Sequence, residues 1–352
     1  MRIAIIGAGA AGLAAGGDLQ AAGWQVAIYE KSRGLGGRLA TRREGESRFD
    51  HGAQYVKADA GRLRALVEAS HDDSGAPAYD IGRPVWVFTA DGQISAGDPA
   101  QNGDPKWCWP SGLSTLAKAL GQGLSVTREV EIGSVDRQPT GYQLFDRGGV
   151  AVGEADCVLF TAPAPQTAAL LAASALDSGL RSALLAELEQ ASYRRCISLT
   201  LAYARRPEVP WYALINSDRA HPISWLACEH DKHGHAPAGQ GLITLQMAHS
   251  WSVAHFDELA KGSYRAGDVL PEAIASAQVL GETLLGADLG PPLWVNVQRW
   301  RYSLPDSYAS FDALNGTASG LYFAGDYVAG QGRVHLAIES GGQVAALIVA
   351  GR

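Results

Sequence analysis

A glycine-rich turn close to the first residue constrains the fold of this chain more than any other feature. Residues 7–12 read GAGAAG, directly after a short apolar strand predicted at residues 3–6 and directly before a segment of helix-forming composition. In this setting Gly7 permits a tight turn, Gly9 lets the backbone approach a pyrophosphate, and Gly12 lets the helix pack closely on the sheet. The helix start offers free N–H groups and the positive end of its dipole to phosphate. We therefore predict phosphate contacts at Gly7, Gly9, Ala10, Ala11 and Gly12.

The second predicted strand, Gln25–Glu30, ends on an acidic residue. Glu30 follows the glycine turn at the distance where an acid accepts hydrogen bonds from the adenosine ribose hydroxyls. A carboxylate at this position also disfavours the additional phosphate of NADP. The turn and the acid together fit NAD as well as FAD, so the choice between them depends on the rest of the chain.

Two further segments favour FAD. Residues 34–39 form a second glycine cluster, which lets the backbone run beside a bound dinucleotide while Arg38 meets phosphate or flavin. Near the other end of the chain, residues 321–326 predict a strand that ends at an acid. Asp326 is placed to bond the ribityl chain or a nearby phosphate. The helix that begins near Arg333 would point its positive end at the flavin edge where negative charge accumulates on reduction.

Length, charge and cysteine content limit the class of protein. A chain of 352 residues exceeds the usual size of a single hydrophobic core, so we expect two domains. The net charge of -7 comes without a basic block, which argues against nucleic acid as a partner. Four widely spaced cysteines are typical of a reducing compartment, and no run approaches the length of a membrane span. These features predict a cytoplasmic protein without a membrane partner.

Six further segments are spread over nearly the whole chain: KSRGLGGRLATRR, FDHGAQY, CWPSGLSTL, TAPAPQ, VQRWRYSLP and LYFAGDYVAGQGRVHLAIESG. In sequence and in order they resemble bacterial renalase-like proteins, which belong to the amine-oxidase-like flavoprotein superfamily. The resemblance implies an α/β fold in which a Rossmann-like FAD-binding domain carries an inserted substrate domain, whose mixed, mostly antiparallel sheet covers the flavin. It also implies non-covalent FAD, and the segment before the last strand contains no cysteine that could form a thioether link.

The glycine motifs lie at both ends of the chain, and a mixed sheet-and-helix insert lies between them. We predict an FAD-binding domain made of residues 1–60, 107–165 and 296–352, and a substrate domain made of residues 61–106 and 166–295. The resemblance, carried over residue by residue, adds the following contacts to those of the first turn: Glu30, Lys31, Gly36, Gly37, Arg38, Gln54, Val130, Gly325, Asp326, Arg333 and Val334.

Candidate substrate residues lie in the insert and next to the FDHGAQY segment. Tyr55 and Trp225 are predicted to line the pocket, because an aromatic pair can stack a planar substrate or enclose an amine. Relatives often carry a histidine where this chain has Gln246, and His249 lies nearby in a different register. Residues 228–235 read CEHDKHGH, but their spacing matches no closed zinc site, so we predict a solvated loop and no metal.

The sequence identifies no catalytic residue. The renalase resemblance implies hydride transfer to the flavin from 2- or 6-dihydronicotinamide dinucleotides, with oxygen as the acceptor and hydrogen peroxide as the product. Such a donor needs no general base, because the lone pair of its ring nitrogen expels the hydride and the ring gains aromaticity. An amine oxidase or a desaturase on the same fold is the first alternative. A dinucleotide-binding protein without catalytic activity is the alternative from another class.

Overall fold

The computed structural model describes residues 1–58 and 61–351, without the side chain of Gln101. The chain divides into two compact units. Unit 1 consists of Met1–Ala40, Leu116–Tyr193 and Leu304–Arg352, and unit 2 consists of Thr41–Thr115 and Arg194–Ser303. These boundaries differ from the predicted domains. Residues 41–60, 107–115 and 296–303 fall in unit 2, whereas residues 166–193 fall in unit 1.

The secondary structure of the described residues alternates between short strands and helices. The strands are β1 (Arg2–Ile6), β2 (Gln25–Glu30), β3 (Thr41–Glu44), β4 (Ser47–Asp50), β5 (Tyr79–Asp80), β6 (Val85–Phe88), β7 (Ile94–Ser95), β8 (Trp107–Cys108), β9 (Val126–Arg128), β10 (Ile132–Arg137), β11 (Tyr142–Asp146), β12 (Ala151–Ala155), β13 (Cys157–Phe160), β14 (Tyr193–Tyr203), β15 (Ala213–Asn216), β16 (Ile223–Cys228), β17 (Gly241–Met247), β18 (Gly262–Arg265), β19 (Trp294–Pro305) and β20 (Leu321–Phe323). The helices are α1 (Ala10–Ala21), α2 (Gly61–Ala69), α3 (Pro99–Gly103), α4 (Ser114–Leu120), α5 (Ala164–Ala172), α6 (Ser178–Leu188), α7 (His249–Ala254), α8 (Glu272–Leu285), α9 (Phe311–Asn315) and α10 (Val334–Ala350), with 3-10 turns at Gly37–Leu39 and Glu229–Asp231.

Unit 1 is built on a parallel sheet with the strand order β20-β13-β1-β2-β9. Its central strands are nearly continuous runs of buried apolar residues, as expected for strands covered on both faces. The chain leaves β1 toward β2 on one side and later adds β13 on the other side, which makes a topological switch point. In open α/β sheets, ligands bind beside the carboxyl ends of the strands at such a point.

Helices α1 and α10 pack closely in unit 1. A Cβ atom added at Gly341 would lie 2.3 Å from the carbonyl oxygen of Ala11, so only glycine allows this approach. Helices α5 and α6 contribute Leu171 and Leu184 to the apolar core that also includes Phe160 of the sheet. The first and last parts of the chain are therefore joined in one packed unit.

Unit 2 is built on an eight-stranded sheet with the order β18-β19-β14-β17-β16-β15-β6-β7. Neighbouring strands with a known register are antiparallel except for β15 and β6, which are parallel. One face carries a large apolar core that includes Leu199, Leu245 and Val297 of the sheet and Ile274 of α8. The mixed, mostly antiparallel sheet of the prediction is confirmed.

Helix α4 begins at Ser114, and the hydroxyl of the preceding Ser111 lies 3.0 Å from Thr115 Oγ1. No helix in the described part of the chain is both long enough and apolar enough to cross a membrane.

Candidate functional site

The first glycine turn has the geometry that a dinucleotide phosphate requires. Gly7 adopts a φ of +111°, which disfavours any residue with a side chain. Thr161, at the end of β13, bonds the carbonyl oxygens of Ile6 and Gly7 at 3.0 Å each and so fixes the turn. A Cβ atom at Gly9 would have nothing within 4 Å, so the chain leaves open space beside the start of α1. This open cradle at a helix N-terminus fits a phosphate group.

The second glycine cluster lies directly on the first. The Gly36 N–H donates to Ala8 O at 2.8 Å, and a Cβ atom at Gly37 would lie 3.9 Å from the Cα of Gly9. Gly36 has a φ of +100°, which again favours glycine. The two predicted glycine motifs therefore form one surface.

Glu30 is buried at the carboxyl end of β2, where the prediction needs it. Its Oε2 accepts the Ala8 N–H at 2.9 Å, and its Oε1 accepts the Ser32 N–H at 2.8 Å. Each carboxylate oxygen keeps a further lone pair, so a ribose hydroxyl can still bond it. Val130 lies beside Glu30, and its backbone N–H donates to the backbone oxygen of Glu30 at 3.1 Å. Lys31 is exposed and reaches Gln166 Oε1 at 3.4 Å.

Asp326 is the centre of a cluster that joins three separate parts of unit 1. Arg38 Nη1 lies 2.5 Å from Asp326 Oδ2, and the Tyr193 hydroxyl donates to Oδ1 at 3.0 Å. Burial opposes the charge on Arg38, but the Asp326 carboxylate outweighs it and raises the pKa of the guanidinium. Burial, with the same carboxylate, raises the pKa of the Tyr193 phenol and keeps it a hydrogen-bond donor.

The C-terminal part of the predicted site has the expected order of elements. Gly325 has a φ of +137°, and its N–H donates to Ser340 Oγ on α10 at 3.0 Å. Helix α10 begins at Val334 as predicted, and the preceding Arg333 is exposed and extended. Because Gly37 touches Gly9 and Arg38 pairs with Asp326, the N-terminal and C-terminal motifs converge on one edge of the parallel sheet.

Tyr193 is a residue that the sequence did not point to, because a single tyrosine at the start of a strand matches no motif. If its hydroxyl orients Asp326 for the cofactor, Tyr193→Phe should weaken FAD binding about tenfold, since a hydrogen bond to a charged group contributes about 1.5–3 kcal/mol. Titration of the apoprotein with FAD, followed by quenching of flavin fluorescence, measures the change. The control is Tyr322→Phe on β20. Equal affinity in both variants would exclude this role for Tyr193.

Comparison with known proteins agrees with this geometry. Residues 5–69 match the model of an NAD(P)-binding Rossmann-like domain. Residues 81–349, most of the chain, match the model of flavin containing amine oxidoreductases. The chain belongs to the flavin containing amine oxidoreductase family. Its cofactor is accordingly FAD, and the open cradle, the ribose-side acid and the Arg38–Asp326 pair fit that group.

Solved structures of the family share the fold of this chain. A protein from Exiguobacterium sp. 255-15 named as a protoporphyrinogen oxidase superposes with a TM-score of 0.74 at 16% identity, covering 100% of this chain and 99% of that chain. Wild-type putrescine oxidase bound to putrescine gives 0.71 at 16% identity and covers 99% of both chains. Cyclohexylamine oxidase from Brevibacterium oxydans IH-35A gives 0.72 at 15% identity and covers 99% of both chains. At these identities the likeness concerns the fold alone.

Three of the four predicted substrate residues come together on the sheet of unit 2. The Tyr55 ring lies 6.1 Å from that of Trp225 and 6.3 Å from that of Tyr212. Trp225 pairs with Gln246 across two strands, and Gln246 Nε2 donates to Gly52 O at 2.6 Å. The fourth residue, His249, is exposed at the start of α7, where its Nδ1 accepts the N–H of Arg195. This contact does not support a role for His249 in substrate binding, and that role stays a prediction.

The loop that follows β4 carries two further residues of interest. Gln54, a predicted cofactor contact, is buried in unit 2, with its Nε2 on Asp50 O and its Oε1 within 3.5 Å of the Tyr212 hydroxyl. His51 stacks on Trp300 at 5.2 Å, and burial lowers its pKa to about 4. The His51 ring is thus neutral near pH 7 and brings no positive charge to this loop.

Most of the segment predicted as a solvated loop, residues 228–235, is buried, and only His233 and Gly234 in it are exposed, so that prediction is wrong. Lys232 is 1% exposed, and its ammonium lies 2.8 Å from Asp50 Oδ2 and 2.9 Å from Glu229 Oε1. The Nδ1 atom of His235 lies 2.9 Å from Glu229 Oε1, and its Nε2 atom lies 3.2 Å from Trp109 O. Asp50, Glu229 and His235 have a metal-ligand spacing, but Lys232 already bridges the two carboxylates. We call these four residues the buried quartet: Asp50, Glu229, Lys232 and His235.

Proposed function

We propose that this protein is an FAD-dependent oxidase that takes hydride from a 2- or 6-dihydronicotinamide dinucleotide, as renalase-like proteins do. The donor loses a hydride and becomes the aromatic nicotinamide cation. Oxygen gains the two electrons and the proton of the hydride, takes a second proton from solvent, and leaves as hydrogen peroxide. Bound FAD supplies the redox chemistry, and the chain holds the donor, orients it and excludes water. No residue has to remove a proton, and His51, whose pKa burial lowers to about 4, would be a weak base.

The observation that carries this proposal is a band of buried polar residues on the unit 2 sheet, on the face opposite the apolar core. Three neighbouring strands, β19, β14 and β17, contribute two residues each. Five of the six are at most 5% exposed, and the sixth, Gln246, is half-buried. The polar band consists of Asn296, Gln298, Ser198, Thr200, Thr244 and Gln246.

The chemistry of the polar band supports a neutral polar donor. Its side chains are amides and hydroxyls, which carry no charge at any physiological pH. The polar band offers a protonated amine no carboxylate, and Asp50 and Glu229 of the buried quartet are already paired with Lys232. A lipid donor would leave the buried Ser198 hydroxyl and the Gln298 amide oxygen of the band unbonded, which is costly. A dihydronicotinamide ring with its neutral carboxamide is the donor that fits these groups.

Amine oxidation is the second candidate, favoured by one observation. Tyr55, Tyr212 and Trp225 form an aromatic cluster of the kind that can surround an amine. Two proteins of the same fold are named for amines, putrescine and cyclohexylamine. This candidate places the cluster, rather than the polar band, against the substrate.

Anaerobic reduction of the flavin separates the candidates. The yellow holoenzyme is mixed without oxygen with borohydride-reduced NAD, which contains the dihydronicotinamide isomers, and separately with putrescine and with cyclohexylamine. We expect rapid loss of the visible flavin absorbance with the reduced NAD mixture only, and recovery with peroxide release when air is admitted. Bleaching by the amines alone would favour the second candidate. A colourless protein that binds NAD would exclude both.

A further inference from the structure

Three buried polar atoms on one face of the unit 2 sheet have no hydrogen-bond partner among the described residues. They are the indole Nε1 of Trp225, the hydroxyl Oγ of Ser198 and the amide Oε1 of Gln298. Most buried polar atoms in proteins are bonded, so each exception calls for a missing partner. The other members of the polar band are satisfied within the chain. Thr200 and Thr244 lie 3.2 Å apart, Asn296 bonds Ser263, and Gln246 bonds Gly52.

The three atoms belong to one row of neighbouring strands. Ser198 is directly opposite Gln246, and Gln246 is directly opposite Trp225, so these side chains stand on the same face. Gln298 lies on β19, next to the strand of Ser198. Its neighbours Val295 and Val297 belong to the apolar core, so Gln298 projects from the same face as Ser198. With strands about 4.8 Å apart, long side chains at the two ends of this row can lean toward one small group between them.

The hydrogen-bonding types of these atoms match one chemical group. An indole N–H can only donate, an amide oxygen can only accept, and a hydroxyl can do either. Their complement is a group with one acceptor oxygen and an adjacent N–H₂ donor, which is a primary carboxamide. An ammonium group would leave the Trp225 donor without an acceptor, and an alkyl chain would leave all three atoms unbonded.

We propose that Trp225, Ser198 and Gln298 recognise the carboxamide of the nicotinamide ring. The Trp225 indole donates to the carboxamide oxygen, and Gln298 Oε1 accepts from its N–H₂ group, with the Ser198 hydroxyl beside them. This assignment rests on the proposed function and makes these three residues determinants of specificity. The oxidised product carries the same carboxamide as the donor, so its binding reports the same contacts.

Two ligands that differ only in this group provide the test: NAD and its 3-acetylpyridine analogue, in which a methyl group replaces the N–H₂. Binding of each to the oxidised holoenzyme is measured by calorimetry and by the shift of the visible flavin spectrum. Wild type should bind NAD about tenfold more tightly, because the analogue leaves a buried acceptor unpaired. Gln298→Met should abolish this preference. Trp225→Phe should lower the affinity for both ligands about tenfold, because both keep the carbonyl oxygen that the indole would bond.

Matched controls keep the assignment separate from folding and from the proposed function. Trp107→Phe removes another buried indole N–H without a partner in the described chain and should change neither affinity. Ser198→Ala is the smallest change and should lower the affinity for NAD several-fold. It provides the test if Trp225→Phe does not retain flavin. Equal binding of the two ligands by wild type, binding of neither, or a preference that survives Gln298→Met would overturn the assignment. If the assignment fails while reduced NAD still bleaches the flavin, the proposed function stands.

Discussion

Replacement of Lys232 by methionine should lower the free energy of unfolding by about 3–5 kcal/mol. Its ammonium is fully buried and bonds both Asp50 and Glu229, so the methionine variant retains two buried carboxylates that have lost their main counter-charge. Methionine keeps the length of the side chain, so the loss is electrostatic rather than one of packing. Urea unfolding of the holoenzyme, followed by tryptophan fluorescence, measures the change.

The pH dependence of this loss identifies its cause. In the wild type, burial opposes ionisation of Asp50, but Lys232 and His235 outweigh it, and the pKa of Asp50 is lowered. Its contribution to stability is therefore present at neutral pH and is lost only as the pH falls below about 4. In the variant, burial without the ammonium of Lys232 should raise the pKa of Asp50 above its unfolded value. The Asp50 carboxylate then destabilises the fold at high pH, and less so as it takes up a proton. The deficit should shrink between about pH 8 and pH 5.

A control separates the buried quartet from lysine content in general. Lys118→Met removes an exposed lysine on α4 and should change stability by no more than about 0.5 kcal/mol. The triple variant Lys232→Met, Asp50→Asn, Glu229→Gln removes all three charges and should recover part of the loss. A loss below about 1 kcal/mol for Lys232→Met at pH 7, or a loss that does not vary with pH, would contradict the electrostatic account.

The buried quartet also explains why the segment 228–235 was misjudged from its sequence. A stretch rich in charged residues and histidine is usually exposed, since a buried charge is costly unless it is paired. Lys232 has one local partner, Glu229, but its other partner, Asp50, lies 182 residues earlier in the chain. No local pattern links the two positions, so only the tertiary fold reveals that the charges are balanced.

Cofactor motifs were predictable because they are local backbone constraints. The turn at residues 7–12, the acid at Glu30 and the strand–turn–helix at residues 321–334 each need particular residue types at fixed spacing, and each forms as expected. Tyr193 was not predictable, because it acts through a single hydroxyl and no spacing rule marks it.

The polar band could not be recognised from sequence for a different reason. Residues 197–201 and 243–247 alternate between apolar and polar side chains. Such alternation normally indicates a strand with one face in solvent. Here the polar side is buried as well: Ser198 is 1% exposed and Thr244 is 0% exposed. Alternation correctly predicts which residues share a face of a strand, but it does not show which face is exposed to solvent.

Substitution of Gly12 by alanine should reduce FAD affinity about a hundredfold or more. The added Cβ atom would lie 2.1 Å from the carbonyl oxygen of Gly7 and 2.8 Å from Thr161 Oγ1. Both neighbours hold the phosphate turn, so the clash must move the backbone that meets the pyrophosphate. Overpacking by one methyl group typically costs about 1–3 kcal/mol and occasionally more. Flavin content after purification and FAD titration of the apoprotein measure the effect.

Gly17→Ala is the matched control, because it makes the same change on the same helix, α1. A Cβ atom at Gly17 would have nothing within 4 Å, so alanine fits there without movement. Alanine in a helix interior is favoured over glycine by about 0.5–1 kcal/mol, so this variant should gain stability and keep its flavin. Both variants raise helix propensity equally, so a difference in FAD affinity between them comes from the contact with the phosphate turn. If Gly12→Ala retained its full flavin content, the turn would accommodate the added methyl group without loss of FAD binding. The close approach of the helix to the turn would then not determine the phosphate site.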